Sequence, residues 1–192
     1  TWFILKNKIS TDEINNIKEV LKDINLELNV SNSGDQKVIV NDEDITNQIR
    51  SPNVTSSVSK IAALHCVRES LTSQQRKFGL KGGLVAEGRD IGTTIFPDAE
   101  LKVFLTATIK ERAKRRALDL KLKGFDVPEL LILEKEISHR DELDSSREIS
   151  PLIKSSDAKE LITDGMTIEE VVENLAELFR LKVPKEVWPI YS

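Results

Sequence analysis

The residues of this sequence best suited to chemistry are its arginines, which gather in three runs. Gly88-Arg89-Asp90 directly follows the apolar run Leu84-Val85-Ala86. An arginine there can donate bidentately to a phosphate, and Asp90 can accept from a base amino group or orient that arginine. A turn carrying a surface ion pair is the other reading of the same three residues. The second run carries Lys110, Arg112, Lys114, Arg115, Arg116, Lys121 and Lys123 against Glu111 and Asp119. Arg112 and Arg116 share a face if the run is helical, and that face is either solvated or anion-binding. The third run is His139-Arg140-Asp141-Glu142-Leu143-Asp144-Ser145-Ser146-Arg147. A helix through it predicts Arg140, Asp144 and Arg147 on one side. Such a carboxylate flanked by guanidiniums is a surface network or a clamp for a ribose diol and a phosphate.

Other chemistries lose their usual support. His65 and His139 lie far apart, and neither G-x-S-x-G nor H-E-x-x-H occurs. The single cysteine, Cys66, excludes an intramolecular disulfide framework and a Cys-cluster metal site, and fits a reducing compartment such as the cytoplasm. Next to His65 it can be read as a thiol nucleophile, but a helical cysteine packed as a small hydrophobe is the simpler account. Basic and acidic residues number 28 and 32, a net charge of -4, so nothing global calls for nucleic acid or a membrane as partner. Three arginine clusters on an acidic chain point instead to a small anionic ligand. Phosphoryl transfer fits, because its catalysis is mostly positioning and charge neutralisation. None of the eight glycines, however, begins a G-x-x-x-x-G-K-[ST] phosphate loop.

The elements that must position these residues are legible from pattern. At 192 residues, 39% hydrophobic and 31% charged, the chain can bury one sizeable core and is not disordered. No run approaches the roughly 18 apolar residues of a membrane span, and Thr1–Leu5, interrupted by Lys6 and Lys8, is not a signal peptide. Ser10-Thr11-Asp12-Glu13 fits a capping box ahead of Ile14, Ile17, Leu21 and Ile24. Residues 25–45 predict an antiparallel hairpin, with turns at Ser31–Gly34 and Asn41–Asp44. Pro52 opens a long helix through about Phe78, burying Val54, Val58, Ile61, Leu64 or Cys66, and Leu71. Gly82-Gly83 breaks the chain, and Leu84–Ala86 predicts a strand covered on both faces. Leu101–Leu105 and Leu161–Thr163 are further strands. Thr108 and Glu111 cap a helix that Gly124 ends, another starts at 126–129, and Thr167 and Glu170 cap a last one whose apolar face is Ile168, Val171, Val172, Leu175 and Phe179. Strands alternating with helices predict an α/β fold with a parallel sheet and ligands at the strands' carboxyl ends.

In combination these motifs resemble bacterial cytidylate kinase. The resemblance rests on the run Gly83 to Leu105, on Glu111-Arg112-Ala113-Lys114-Arg115-Arg116, and on Arg140-Asp141, Asp144, Arg147 and Pro151-Leu152 in order. Val38–Arg50 resembles the family's extra hairpin and Ser51–Arg68 its substrate-side helix, so nearly the whole chain is covered. The resemblance implies a P-loop NTPase-like parallel sheet flanked by helices, in one domain over 1–192. Within it, 25–50 would be a CMP-side β insert and 110–147 a lid-like arginine-rich region. It implies transfer of the ATP γ-phosphate to CMP or dCMP, with Mg²⁺, and CMP, dCMP and ATP as small-molecule partners. Residue by residue, Ser59 and Arg68 match cytosine-side contacts, with Asp90 and Arg147 near the same pocket. Arg140 and Asp144 match the pair at the ribose and acceptor phosphate, and Arg89 lies near that phosphate or braces the pocket. Arg112 and Arg116 match lid arginines, one stacking on adenine and one reaching donor phosphates, a role open to Arg115 as well. Arg140, Arg147 and Arg116 are thus the expected catalytic residues, with no metal ligand in this chain.

The family's first strand, phosphate loop and S-G-x-x-Y-R segment are not in these residues, and Thr1-Trp2-Phe3 resembles the helix that follows them. The 192 residues alone are therefore expected to be inactive and unstable. The tail Val183–Pro189 resembles the end of cyanobacterial chains in which a pantoate–β-alanine ligase domain is fused ahead of the kinase, which implies an N-terminal fused domain. The alternative function is a non-catalytic remnant that binds nucleotide or RNA. Aromatic residues at 5% leave it little material for stacking single-stranded bases.

Overall fold

The computed structural model describes residues 1–30, 36–80, 82–182 and 184–187. The expected turn at Ser31–Gly34, and Val183, Trp188 and Pro189 of the tail, lie outside them. The chain divides into two compact units, Thr1–Ala86 with Arg147–Pro151, and Glu87–Ser146 with Leu152–Ser192.

The first unit is built on helices α1 (Trp2–Lys6), α2 (Ile14–Lys22), α3 (Pro52–Ala62) and α4 (His65–Gly79). Ile4, Ile17, Leu21, Ile61 and Val67 form its buried cluster, with Ile9, Ile24, Leu64, Cys66 and Leu71 packed against it. The single long helix expected after Pro52 is two. Leu64 takes an extended backbone (ψ 126°) and starts α4. In one unbroken helix Ile61 and Val67 would point about 120° apart; the break turns both into the same core. The capping box at Ser10 does not form. Glu13 is the N-cap of α2, its carboxylate accepts from Asn16, and Ser10 Oγ accepts from Asp12 N at 3.3 Å instead.

Strands β1 (Leu26–Val30) and β2 (Gln36–Val40) pair antiparallel with Leu28 opposite Val38. The second expected turn is tighter than its residue types suggested. Asn41 and Asp42 alone have positive φ (48° and 65°), and Glu43–Asp44 is a third strand, β3, paired to β2. Two consecutive left-handed residues make the hairpin turn whose twist matches the strands.

In the second unit β4 (Val103–Thr106) and β5 (Lys159–Ile162) run parallel, Val103 opposite Lys159 and Thr106 opposite Ile162. Helices α5 (Ile109–Leu122) and α6 (Leu130–Ser145) connect them, and α7 (Ile168–Lys182) follows. The result is a small parallel sheet flanked by helices. Both predicted caps form: Thr108 Oγ1 accepts from Glu111 N at 3.3 Å, and Thr167 and Glu170 bond each other reciprocally. Ala113 and Leu120 on α5 bury against Leu133 on α6, with Ala117 and Ile137 beside them. That apolar stripe leaves the basic residues of α5 on its other faces.

Two further expectations fail. Leu84–Ala86 is not a strand, and Val85 is 98% exposed. A strand exists through its ladder, and among the described residues no strand pairs with this run. On α7, Ile168 and Val172 are exposed, so the expected apolar face is covered only around Val171, Leu175 and Phe179.

One brace in this unit makes its stability pH-dependent. The buried side chain of Lys102 donates to the Pro97 carbonyl and meets Asp157 Oδ2 at 2.9 Å. The Ser155 hydroxyl and then Lys102 hold the Asp157 carboxyl down to about 2 from an ordinary 3.8. A depressed carboxylate stabilises the folded state above its unfolded pKa, and that contribution is lost as pH falls through the folded value. Urea midpoints of wild type and Asp157→Asn should therefore differ above about pH 4 and converge toward pH 2. A gap that stays constant down to pH 2 would refute the assignment.

Candidate functional site

The sequence-predicted residues fall into two groups, one in each unit. In the second unit the centre is Asp144, in the last turn of α6 and 2% exposed. Arg89 Nε donates to its Oδ2 at 3.1 Å, and Arg140 Nε, one turn earlier on α6, lies 3.7 Å from the same oxygen. The helix end is pinned as well, since the Asp144 carbonyl accepts from Leu152 N at 2.8 Å. Burial, then the charge of Arg89, pushes the Arg140 pKa down; Asp144 and Asp141 oppose this, and Arg116 adds to it. Three guanidiniums and two carboxylates therefore act on one another at this place. Among the described residues the buried Arg140 Nε makes no hydrogen bond.

Arg89 and Asp90 are set by the turn after them. Thr94 N and Ile95 N both donate to the Asp90 carbonyl, at 2.8 and 3.2 Å, and Phe96 N donates to Ile91 O at 2.7 Å, a single π-type turn over Ile91–Ile95. Such turns are frequent at functional sites. Asp90 is buried at its start. Gly88 fits because a Cβ there would stand 2.7 Å from Ile91 Cγ1.

The arginines of α5 differ in what holds them. Arg112 makes a two-pronged pair with Asp141 of α6, Nη1 to Oδ1 at 3.0 Å and Nη2 to Oδ2 at 2.5 Å, and Nε reaches the Ala107 carbonyl at 3.1 Å. Among the described residues Arg116 pairs with Asp119 alone, 3.3 Å away in the next turn. Arg115 is fully engaged: Nε with Glu111 at 3.1 Å, Nη1 with Thr163 Oγ1 at 2.9 Å, and Nη2 with the Thr163 carbonyl.

The first unit holds Ser59, Arg68 and Arg147. Ser59 on α3 and Arg68 on α4 are both buried, Arg68 to 9% exposure. Burial and the nearby Arg147 charge both push the Arg68 pKa down. The predicted face of Arg140, Asp144 and Arg147 does not exist as one helical face. Helix α6 ends at Ser145, and Arg147 belongs to the first unit. Sequence reasoning gave no role to Asp141, Thr163 or Asp164. Asp141 stood inside the quoted third run, but its partner is 29 residues away and no spacing rule reaches it.

Parallel strands, crossover helices and guanidiniums gathered around a buried carboxylate define an α/β protein with a cluster of positive charge. The chain matches the family described as Cytidylate kinase over residues 1–181, and it belongs to that family of phosphotransferases. It is 62% and 57% identical to two proteins of Prochlorococcus marinus, and 54% identical to one of Synechococcus sp., each named a bifunctional pantoate ligase/cytidylate kinase. Each alignment covers 98% of this chain but only 36–39% of the relative, so the chain spans well under half their length.

Proposed function

We propose that this chain serves a nucleotide kinase that transfers the ATP γ-phosphate to CMP or dCMP, giving CDP or dCDP. The observation that carries the reading is Asp144, a buried carboxylate held by Arg89 and Arg140 with the Arg116 charge also acting on Arg140. Phosphoryl transfer asks a protein for preorganised positive charge where negative charge spreads in the transition state. Arg140 and Arg116 supply that charge in this reading, while Asp144 and Arg89 fix the direction of Arg140. Arg112, its fork taken by Asp141, keeps the faces of its guanidinium plane for stacking on adenine. Ser59, Arg68 and Arg147 contact the cytosine side, where a bound acceptor group relieves the repulsion between the two arginines. Asp90 accepts from the base amino group, as a base with one amino donor and two acceptors requires. Residues 25–50 act as the CMP-side insert and 110–147 as the lid-like region.

Cytidylate kinases use ATP with Mg²⁺. Among the described residues no three His, Cys, Asp or Glu side chains group to hold a metal ion. An ion carried by nucleotide phosphates needs only one or two carboxylates from the protein. The kinase works in the cytoplasm beside an N-terminal pantoate ligase domain of the kind that the relatives' names describe.

The experiment is direct. Protein expressed from the complete reading frame, given ATP, Mg²⁺ and CMP, should form CDP in a coupled assay. The 192 residues alone, which contain no G-x-x-x-x-G-K-[ST] loop, should form none. Tight CMP binding without CDP formation by the complete protein would leave only the non-catalytic binder.

A further inference from the structure

Arg115 commits both arms of its fork to the end of β5. Its two Nη groups end on the Oγ1 and carbonyl of Thr163, the residue after β5, and its Nε ends on Glu111 one turn earlier on α5. Thr163 is itself buried and fixed: its N and Oγ1 donate to the Thr106 carbonyl at the end of β4, at 2.9 and 3.1 Å. The next residue closes the ring. Asp164 accepts from Thr108 N at 3.0 Å and from the Thr108 hydroxyl, and the same hydroxyl caps α5 by accepting from Glu111 N. The carboxyl ends of both parallel strands and the first two turns of α5 thus form one hydrogen-bonded assembly.

A helix capped at its N-terminus is fixed in position but can still roll about its axis. The apolar stripe on α6 and the Arg112–Asp141 pair limit that roll from one side, and Arg115 fixes it from the strand ends, because a planar fork bonded to a carbonyl and a hydroxyl of one buried residue fixes direction as well as distance. Arg112 and Arg116 lie about 60° and about 100° from Arg115 around the axis. Where Arg115 points therefore sets where both of them point.

We infer that Arg115 is a positioning residue, which sets the roll of α5 through Thr163 and so aims Arg112 and Arg116 at the ATP side of the site. The inference rests on the kinase reading above. It also assigns the donor-phosphate contact to Arg116, since Arg115 is occupied by protein.

The test uses protein from the complete reading frame and steady-state kinetics with each substrate varied in turn. Arg115→Ala, Arg115→Lys and Thr163→Val should each raise the KM for ATP about tenfold, while the KM for CMP stays within about twofold. The double variant Arg115→Ala, Thr163→Val should be no worse than either single, because one interaction is being removed. Thr163→Ser keeps the hydroxyl and should behave as wild type. A general loss of folding would lower the apparent kcat and leave both KM values where they are, so a rise confined to the ATP KM excludes it. If Arg115 instead touches ATP, the lysine should recover most of the loss and Thr163→Val should do nothing; that result overturns the inference. So do additive effects, or unchanged ATP KM values in an active enzyme. Wild-type protein that makes no CDP ends the kinase reading, and the inference with it.

Discussion

Arg140→Ala is expected to lower kcat for CMP phosphorylation by about 10²- to 10³-fold, the range for removing one preorganised donor from a developing charge. Arg140 keeps a buried Nε that makes no hydrogen bond among the described residues. Arg112 spends its fork on Asp141 and Arg115 spends its own on Thr163, whereas among the described residues Arg140 has the 3.7 Å approach to Asp144 and no hydrogen bond at Nε. Its positive charge is also held at a cost: burial and Arg89 both oppose it. A group kept charged against burial and like charge gains most when a phosphate arrives, and it gains more as the phosphoryl group loosens. The loss should therefore fall on kcat, with the KM for CMP changing less. Arg140→Lys restores the charge without the planar fork and should lie between alanine and wild type. Initial rates with saturating ATP and varied CMP measure all three. Turnover unchanged in the alanine variant would refute the role.

The sequence disclosed local order well and distant pairing poorly. Thr108 with Glu111 and Thr167 with Glu170 were readable because a cap is an interaction over three residues, and both form. The same spacing at Ser10 and Glu13 failed, because Asn16 takes the Glu13 carboxylate and Asp12 N takes the hydroxyl. The residues after Pro52 read as one helix since their apolar spacing is nearly continuous, and only the demands of the core reveal the break at Leu64. At the site, residue types identified the arginines, but their division of labour did not follow from type. Arg112, Arg115 and Arg116 are indistinguishable in sequence. Asp141, Thr163 and Asp119 separate them, and the first two of these lie 29 and 48 residues from the arginines they hold. The face drawn through Arg140, Asp144 and Arg147 assumed that α6 continued, and it stops at Ser145 with Ser146 as its cap.

Asp144→Ala should lower CMP turnover about a hundredfold and also weaken the fold, and the two effects can be separated. Removing one partner of a fully buried ion pair costs about 3–5 kcal/mol, most of it the penalty of stranding the other charge. Here the stranded charges are not fully buried: the side chains of Arg89 and Arg140 are 40% and 39% exposed, so water can take up much of the loss. About 1–2 kcal/mol is the expected cost, and at this chain length each 1 kcal/mol moves Tm by roughly 2–4 °C. Asp144→Asn keeps the shape and one acceptor oxygen but removes the charge. It strands the same two charges, so it should recover only the packing part of the lost stability, and it should still turn over CMP slowly, because Arg140, no longer held by a carboxylate, repels Arg89 and loses its fixed direction. Thermal unfolding and initial rates on the same preparations decide between the possibilities. If asparagine restores both stability and turnover, Asp144 is only a packing residue. If it restores the packing part of the stability alone, the carboxylate acts by aiming the arginines.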